Sequence, residues 1–305
     1  MTEFWIGAGG WAYFQVPGES SLPAYARAYD FVEINSTFYS LPDLRRAQIW
    51  RQSVPSTFEF SLRCPRIVTH VNQLKPTREN IALLATTINL CRILRSSFLV
   101  LITPSTTQFT TGMIASLHTL FNTLNLNGIR IVWEIRRQND DLLSSALIAL
   151  MEEYDIIHCV DLTKESPAFT TDVTYTRIFG KGKHNLYQFS DEELLELDEK
   201  ITVQNPEKAL ISFHNVRMYK DAARYQIFRK TSHFPSVTKA RGLQSLRHVL
   251  LEDARFPATA NQLIENQGWK IIDLTDDERM HARILLEKLP RRSFMSVDEV
   301  LQSFP

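Results

Sequence analysis

The stretch Ile131-Val132-Trp133-Glu134-Ile135-Arg136 alternates apolar and charged residues. Because a β-strand sends successive side chains to opposite faces, Glu134 and Arg136 share one face, and the large apolar residues share the other. A strand within an open parallel sheet is buried on both faces and normally reads as continuous Val, Ile and Leu. A single polar face therefore favours a closed barrel, with the charged side chains pointing into its lumen.

Four other strand candidates carry polar residues on one face. In chain order, the polar sets are Glu33 and Asn35; Glu59, Ser61 and Arg63; Tyr175 and Arg177; and Ser212 and His214. Placing a charge inside a protein costs on the order of several kcal/mol unless the charge is paired or hydrated. Polar groups on five strands therefore favour a functional lumen. The alternative is a structural network in which Glu and Arg side chains satisfy one another.

Eight strand-like runs alternate with amphipathic segments up to about residue 230. The predicted strands are Phe4–Ala8, Phe31–Asn35, Phe58–Arg63, Phe98–Ile102, Ile129–Ile135, Ile156–Val160, Tyr175–Phe179 and Leu210–His214. The predicted helices are Leu22–Tyr29, Leu44–Arg51, Arg78–Ile93, Ile114–Leu124, Asp141–Glu153 and Asp191–Ile201, the last with a Ser190/Glu193 capping box. This count predicts a closed (β/α)8 TIM-type barrel, with an open doubly wound sheet as the alternative.

Composition sets the broad class of the protein. The 305 residues are 44% hydrophobic and 22% charged, and the formal net charge is zero. Three cysteines without paired spacing give no disulfide or zinc pattern. The first residues do not resemble a signal peptide, and the longest apolar run, Phe98–Ile102, is too short to cross a bilayer. We therefore expect a cytoplasmic protein without a membrane partner.

The carboxyl ends of barrel strands carry the active sites of TIM-barrel enzymes, so the polar residues there are the site candidates. The predicted catalytic residues are Glu33, Glu134, Asp161 and His214. The predicted substrate-binding residues are Trp11, Tyr13, Asn35, Tyr39, Arg63, His70, Arg136, Arg177 and Asn215. Paired carboxylates can divide acid and base roles, and the arginines suit phosphate or carboxylate. His70 lies in a loop, where simple solvation is the alternative.

Cofactor binding has little support in the sequence. Gly7-Ala8-Gly9 lacks the third glycine of a dinucleotide fingerprint, and no Walker, HExxH or nucleophile-elbow motif is present. The four predicted catalytic side chains could converge on a divalent metal ion. Three arginines in the same lumen favour an anion instead. No cofactor is predicted, and the metal content stays open.

Several stretches resemble one known family. They include Gly7-Ala8-Gly9-Gly10-Trp11, Val32 to Tyr39, Phe60 to Arg66, Trp133 to Arg136, and Tyr175-Thr176-Arg177 with Gly180. In order and spacing, residues 3 to about 230 resemble the YecE-like proteins, domain-of-unknown-function family 72. The resemblance implies a TIM barrel and gives only weak, sugar-isomerase-related support for a reaction. The chain departs from the family pattern at Ile102, Phe179 and His214, which leaves the substrate open.

The C-terminal segment contains Phe256-Pro257-Ala258-Thr259, Leu263-Ile264, Leu289 to Phe294 and Ser296 to Val300. These stretches resemble a second family, domain-of-unknown-function family 2795. We therefore predict a barrel over 1–235, a helical linker over 236–255 and a small helical domain over 256–305. Three short helices are expected in this domain, with capping boxes at Thr275/Glu278 and Ser296/Glu299 and a stop at Pro290. The domain shows no evident chemistry, and a protein partner is one role for it.

A basic segment completes the evidence on function. Residues 216–247 contain eight Lys or Arg and one acid, Asp221. Such a segment suits a nucleic acid or phosphorylated ligand, or else pairs with the acidic tail. The first hypothesis is an enzyme that hydrolyses a phosphate-bearing substrate, a nucleic acid or nucleotide, with Glu33 or Glu134 as base. The others are a sugar-phosphate isomerase and a non-catalytic binding module.

Overall fold

The computed structural model describes residues 2–138 and 142–304, and two compact units account for the chain. The first comprises residues 1–178 and 199–213, and the second comprises residues 179–198 and 214–305. This grouping differs from the three predicted segments, because the loop and half-helix that follow the seventh strand belong to the second unit. None of the helices in the described ranges combines the length and apolar character needed to span a bilayer.

The first unit contains eight strands in a single parallel sheet. They are β1 (Glu3–Ala8), β2 (Phe31–Ile34), β3 (Glu59–Arg63), β4 (Phe98–Thr103), β5 (Arg130–Ile135), β6 (Ile157–Cys159), β7 (Val173–Ile178) and β8 (Lys208–Phe213). The strand order is β6-β5-β4-β3-β2-β1-β8-β7, and every pairing is parallel. The predicted strands are confirmed to within two residues at each end.

A bridge between the two edge strands closes the barrel. Val160, just after β6, pairs in parallel with Thr176 of β7. The Thr176 hydroxyl donates to the Val160 carbonyl at 2.8 Å and accepts from the Leu162 amide at 3.1 Å. The closed TIM-type fold is therefore confirmed, and the open-sheet alternative is wrong.

Helices alternate with these strands as the sequence predicts. They are α1 (Ser21–Ala28), α2 (Leu44–Gln52), α3 (Arg78–Leu94), α4 (Thr111–Thr123), α5 (Ser145–Glu153) and α6 (Asp191–Gln204). The Ser190/Glu193 capping box at α6 is present, with reciprocal bonds of 3.0 and 3.3 Å. α5 begins after the predicted start because Ser144 caps it, while Asp141 lies outside the described residues.

The two faces of the barrel strands differ as expected. Trp133 is buried on the outer face, packed edge-on against Phe109 and Phe121. The inner face holds an apolar cluster that includes Phe31, Phe98, Val100, Val132, Tyr175 and Leu210. Apolar side chains therefore fill the part of the lumen near the amino ends of the strands. The polar residues of β2, β5 and β7 lie on the same inner faces, closer to the carboxyl ends of the strands.

The second unit is not purely helical, which corrects the predicted small helical domain. Its helices are α7 (Met218–Thr231), α8 (Leu243–Asp253), α9 (Ala260–Gln267), α10 (Arg283–Leu286) and α11 (Val297–Leu301). Two antiparallel ribbons accompany them, β9 (Ala258–Thr259) with β12 (Ser293–Phe294), and β10 (Ile271–Asp273) with β11 (Arg279–His281). Short strands of this length have too few residues to show a period of two.

One predicted capping box is wrong. Thr275 and Glu278 do not begin a helix but lie in the turn between β10 and β11. There the Thr275 hydroxyl accepts the Glu278 amide at 3.0 Å, and the Leu274 amide donates to the Glu278 carbonyl at 2.8 Å. The same Thr-x-x-Glu pattern serves a tight turn because a side-chain oxygen can accept an amide in either setting. Ser296 does cap α11 as predicted.

Glu59 gives a test of the fold through the pH dependence of stability. Burial raises the pKa of Glu59 to about 7, although the carboxylate accepts the Ser97 amide at 2.7 Å. A raised folded-state pKa means that stability falls as pH rises from about 4.5 towards 7. Glu59→Gln keeps an acceptor for Ser97 and cannot ionise. We expect it to stabilise the protein above pH 7 by on the order of 2 kcal/mol, and far less at pH 4.5.

Urea unfolding at several pH values measures this difference. Glu152→Gln, which removes an exposed carboxylate from α5, is the matched control and should show no comparable pH trend. A stability difference between Glu59→Gln and the parent protein that stays constant from pH 4.5 to 8 would contradict the assignment.

Candidate functional site

Arg177 on β7 is the centre of an ion network inside the barrel. Its Nε donates to both carboxylate oxygens of Glu33 on β2, at 3.1 and 3.0 Å. Its Nη1 donates to Glu134 on β5. The Arg177 side chain is 2% exposed and Glu33 is fully buried. Three predicted site residues from three strands therefore meet, as the alternation in the sequence predicts.

Hydroxyl groups complete the coordination of Glu33. The Tyr175 hydroxyl donates to Glu33 at 3.0 Å and lies 2.7 Å from the Ser61 hydroxyl. Tyr175 occupies the inner face of β7 two residues before Arg177, so the strand period places both beside Glu33. Neither hydroxyl was among the predicted site residues, although the sequence had placed both on the polar faces of their strands. Glu33 is thus enclosed by donors and has no access to solvent.

Glu134 marks the transition from the interior to the surface. Its side chain is 13% exposed, and it also accepts Arg136 Nε at 2.8 Å, while Arg136 is 48% exposed. Burial alone would raise the pKa of Glu134, but the charges of Arg177 and Arg136 outweigh it and hold the pKa below its usual range. Glu134 is therefore an ionised carboxylate at neutral pH.

Arg63 at the end of β3 differs from Arg136 and Arg177, which pair with Glu33 or Glu134. Its Nη1 donates to the Asn35 amide oxygen at 3.1 Å, and its guanidinium lies 4.2 Å from the centre of the Phe38 ring. Burial lowers its pKa, the charges of Glu33 and Glu134 oppose this effect without reversing it, and the Arg177 charge adds to it. Among the described residues, Arg63 forms no ion pair, and its Nε is buried without a hydrogen-bond partner.

A short turn after β2 positions Asn35 and the end of β3. The turn Asn35–Phe38 follows β2 directly, and the Asn35 amide donates to the Gly9 carbonyl at 2.8 Å. The buried Thr37 hydroxyl lies 2.7 Å from the Ile34 carbonyl and 2.8 Å from the Arg63 carbonyl. The turn therefore fixes the end of β3 as well as its own strand. Thr37 and Phe38 were not predicted as site residues, although both lie in the Val32 to Tyr39 block that carried the family resemblance.

His70 lies in a single turn of π-helix, Ile67–Val71, after β3. Its Nδ1 is 2.8 Å from the Thr69 hydroxyl, and its ring packs edge-on against Phe38 at 5.0 Å. Burial lowers the pKa of His70, and the charges of Arg136, Arg66 and Arg63 lower it further. His70 is therefore a neutral imidazole among cations. Turns of π-helix occur frequently at functional sites.

These residues define the barrel mouth, a name that we use for Glu33, Asn35, Arg63, Arg66, His70, Glu134, Arg136 and Arg177. Four arginines and two glutamates give this set a net charge of +2, with His70 neutral. Nearby Asp161 is balanced by Lys164, whose Nζ lies 3.1 Å from it. The barrel mouth is therefore electropositive.

The other predicted residues have structural contacts of their own. Asp161 accepts the amide and hydroxyl of Thr163 at 3.1 and 2.6 Å, which organises its turn. Trp11 packs edge-on against Trp50 and Phe60. Tyr13 and Tyr39 are 83% and 80% exposed, so both of these rings are open to a ligand.

His214 and Asn215 belong to the second compact unit. His214 stacks on Phe179 at 4.9 Å, and Asn215 donates to the Tyr187 carbonyl and to Asp221 at 2.8 and 2.7 Å. Burial raises the pKa of Asp221 to about 6. Asn215 thus joins the loop after β7 to α7. A role for His214 or Asn215 in the barrel mouth stays a prediction.

The basic segment 216–247 is largely neutralised within the second unit. Six of its eight cations form ion pairs, namely Arg217, Lys220, Arg224, Arg229, Arg241 and Arg247. Acidic tail residues such as Glu252 and Asp276 supply some of the partners, as the alternative interpretation of this segment predicts. The segment therefore offers less free positive charge than its sequence suggests.

Metal binding finds no support in the donor set. No group of three or more His, Cys, Asp or Glu side chains within residues 2–138 and 142–304 is arranged to hold a metal ion. Glu33 and Glu134 both bind Arg177 instead. The barrel mouth thus has the donor chemistry of an anion site.

Removing Arg177 tests the network. In Arg177→Met, Glu33 becomes a buried charge without a cation, and we expect a loss of about 3–5 kcal/mol of unfolding free energy. Arg136→Met removes a half-exposed partner of the same Glu134 and should cost about 1 kcal/mol or less. Chemical unfolding measures both values. Glu33→Gln combined with Arg177→Met should recover part of the loss, and equal costs for the two single variants would contradict the central role of Arg177.

Comparisons with known proteins agree on the family. A family model described as "Protein of unknown function DUF72" matches residues 5–236. DUF72 family proteins of known structure from Thermotoga maritima and Enterococcus faecalis align with TM-scores of 0.61 and 0.59 and identities of 20% and 15%. The alignments cover 75% and 76% of this chain and 99% and 98% of theirs.

Other comparisons support only the fold. The structure of a D-tagatose 3-epimerase-like protein aligns with a TM-score of 0.51 and 14% identity, over 75% of this chain and 96% of that one. No curated protein sequence matches this chain. The resemblance of the tail to family 2795 stays a prediction, whereas the resemblance of the barrel is confirmed. The chain belongs to the DUF72 family of proteins of unknown function.

Proposed function

We propose that this protein is an enzyme that hydrolyses a phosphate-bearing substrate at the barrel mouth. The observation that carries the proposal is Arg63, a largely buried cation that forms no ion pair among the described residues and has an unpartnered Nε. Buried charges are normally paired, so an unpaired guanidinium marks a place for an anion. A forked guanidinium matches the geometry of phosphate oxygens.

The neighbours of Arg63 support an anionic substrate. Arg136 is half-exposed, and its charge and that of Arg66 act on the same imidazole, His70. A phosphate held by Arg63 and Arg136 would be balanced by the net charge of +2 at the barrel mouth. Neutral His70 can donate or accept a hydrogen bond without adding a further charge.

Glu134 is the group best placed to act as general base. It is ionised at neutral pH and reaches the surface, whereas Glu33 is fully buried. In the proposed reaction, water attacks phosphorus as its proton passes to Glu134, and the P–O ester bond breaks. The leaving oxygen takes a proton from solvent, which receives one in turn from Glu134. Glu33 and Arg177 are positioning residues that orient this carboxylate.

A small phosphate ester, such as a nucleotide, fits better than a long polyanion. The basic segment 216–247, which had favoured nucleic acid, is mostly ion-paired. Tyr39 lies next to this set, with its ring packed edge-on at 5.0 Å against the Phe38 ring that Arg63 covers. An exposed tyrosine beside a phosphate-binding arginine supplies a surface for a sugar or base.

Binding of inorganic phosphate tests the anion site. We expect Arg63→Met to weaken binding by tenfold or more, because the guanidinium fork is lost, while the exposed control Arg78→Met leaves it unchanged. Titration calorimetry measures the affinity. In the free protein, burial and the nearby arginines hold the pKa of His70 below its ordinary value, and bound phosphate should raise it, as followed by NMR of the ring protons. An unchanged His70 titration at saturating phosphate would place any binding elsewhere.

Turnover of phosphate esters tests the base. Glu134→Gln should lower kcat by about a hundredfold or more, with KM changed little. Since the pKa of Glu134 is held below its usual range, the parent activity should show no loss from this group between pH 8 and 5. Release of phosphate from nucleotides and sugar phosphates measures the rate, with Glu152→Gln as control. Isomerised sugar phosphate without phosphate release would favour an isomerase, and tighter binding of oligonucleotides than of mononucleotides would favour nucleic acid.

A further inference from the structure

The second compact unit contains a cavity of about 800 Å³ that the proposed function does not use. None of the barrel-mouth residues lines it. Small-molecule sites typically enclose roughly 300–1,000 Å³, so this cavity has the size of a ligand site. Its walls come from the loop after β7 and from the region of α9, β11 and α10.

Cations dominate the ionisable groups of the cavity. Lys181 and Lys183 come from the loop, Arg283 comes from α10, and Glu265 is the acid among the lining residues. Lys181 pairs with Glu193 at 2.7 Å, and Arg283 pairs with Glu287 at 2.6 Å. Lys183, in contrast, has no acidic partner in the part of the chain that the structure describes. Glu265 also has no basic partner among the described residues, so the lining carries one unpaired ammonium, one unpaired carboxylate and two further cations that can share an anion.

Apolar and aromatic groups form a second part of the wall. Leu186, Ile264 and Ile284 line the cavity together with the ring of Trp269. The Trp269 indole donates to the Asn266 carbonyl at 2.9 Å, which fixes the ring. His281 is held by the Gln188 carbonyl at 2.9 Å and packs against Tyr187 at 5.3 Å. A fixed indole beside ammonium groups suits a ligand in which a planar ring is joined to a separate anionic group.

Two glycines explain how the loop presents its lysines. Gly180 has a φ of +80°, and a Cβ there would lie 2.5 Å from Cβ of Tyr187. A Cβ on Gly182 would lie 2.0 Å from the Leu186 carbonyl oxygen. The segment Gly180-Lys181-Gly182-Lys183 can therefore fold tightly against Leu186 and Tyr187 only with glycine at both positions. Lys181 and Lys183 thus line the cavity from a compact loop.

We propose that this cavity is a second ligand site and that it binds an aromatic monophosphate of mononucleotide size. The phosphate contacts Lys183, Lys181 and Arg283, and the ring packs on Trp269 and its apolar neighbours. Binding needs both parts, because a single unpaired ammonium, in a lining that also holds Glu265, binds phosphate weakly in water and the apolar wall is small.

Binding of adenosine 5′-monophosphate to the full chain tests the proposal, with adenosine and inorganic phosphate as the two partial ligands. All measurements use the Arg63→Met background, so that the barrel mouth does not contribute. We expect the monophosphate to bind at least tenfold more tightly than either partial ligand. Lys183→Glu should abolish this advantage while leaving adenosine affinity unchanged. Trp269→Ala should weaken both adenosine and its monophosphate.

The matched control is Lys230→Glu, which reverses an exposed charge on α7 outside the cavity and should change nothing. Equal affinity for adenosine and its monophosphate would overturn the proposal. Unchanged affinity for the monophosphate when Lys183→Glu is added to the Arg63→Met background would overturn it as well. Monophosphate binding that disappears with Arg63→Met alone would overturn it too, since the ligand would then belong to the barrel mouth. The proposed hydrolysis at the barrel mouth is tested independently, by the effects of Arg63→Met and of Glu134→Gln in the otherwise unaltered chain.

Discussion

The barrel mouth depends on one interaction, the pairing of the Arg177 guanidinium with the carboxylates of Glu33 and Glu134. Glu33, Arg177 and Glu134 lie on β2, β7 and β5, and none of these three strands is adjacent to another in the sheet. Their side chains can meet only across the lumen of a closed barrel. Since each charge would be strongly destabilising alone, the closure of the sheet and the pairing of these groups require each other.

Side-chain exposure increases along this network, and it distinguishes the residues with a supporting role from those that can contact a substrate. Glu33 is enclosed by Arg177 and Tyr175, whereas Glu134 reaches the surface and Arg136 is half-exposed. A carboxylate that contacts water can transfer protons, and a carboxylate sealed by donors can only orient its neighbours. The inner part of the network therefore holds the outer part in position, which is the usual relation between a supporting shell and reacting groups.

Charge at the surface of this protein is governed by pairing rather than by composition. The basic segment 216–247 contains many cations, yet most of them face an acidic partner. Arg63 and Lys183 have no ion pair among the described residues, and each lies among the residues of a candidate site. Both lie beside aromatic rings, Phe38 for Arg63 and the wall around Trp269 for Lys183. Each compact unit thus carries its own candidate anion site.

The sequence by itself determined the barrel, its strands and the identity of the inward-facing charges. Apolar and polar residues alternate with a period of two in segments such as Ile131–Arg136. This period comes from the local geometry of the strand backbone, so it can be recognised from the sequence alone. The convergence of Glu33, Glu134 and Arg177 followed from it. The ribbons β9/β12 and β10/β11 were missed because strands of two or three residues carry no readable period.

Only the tertiary structure decided which charges are paired and which groups are exposed. The sequence could not distinguish buried Glu33 from surface-reaching Glu134, since both alternate in the same way. It could not show that Arg63 has no ion pair while Arg224 pairs with Asp191, because such a pair joins side chains that are distant in the chain. Distances across the lumen or between loops depend on how the whole chain packs, and local sequence patterns do not determine that packing.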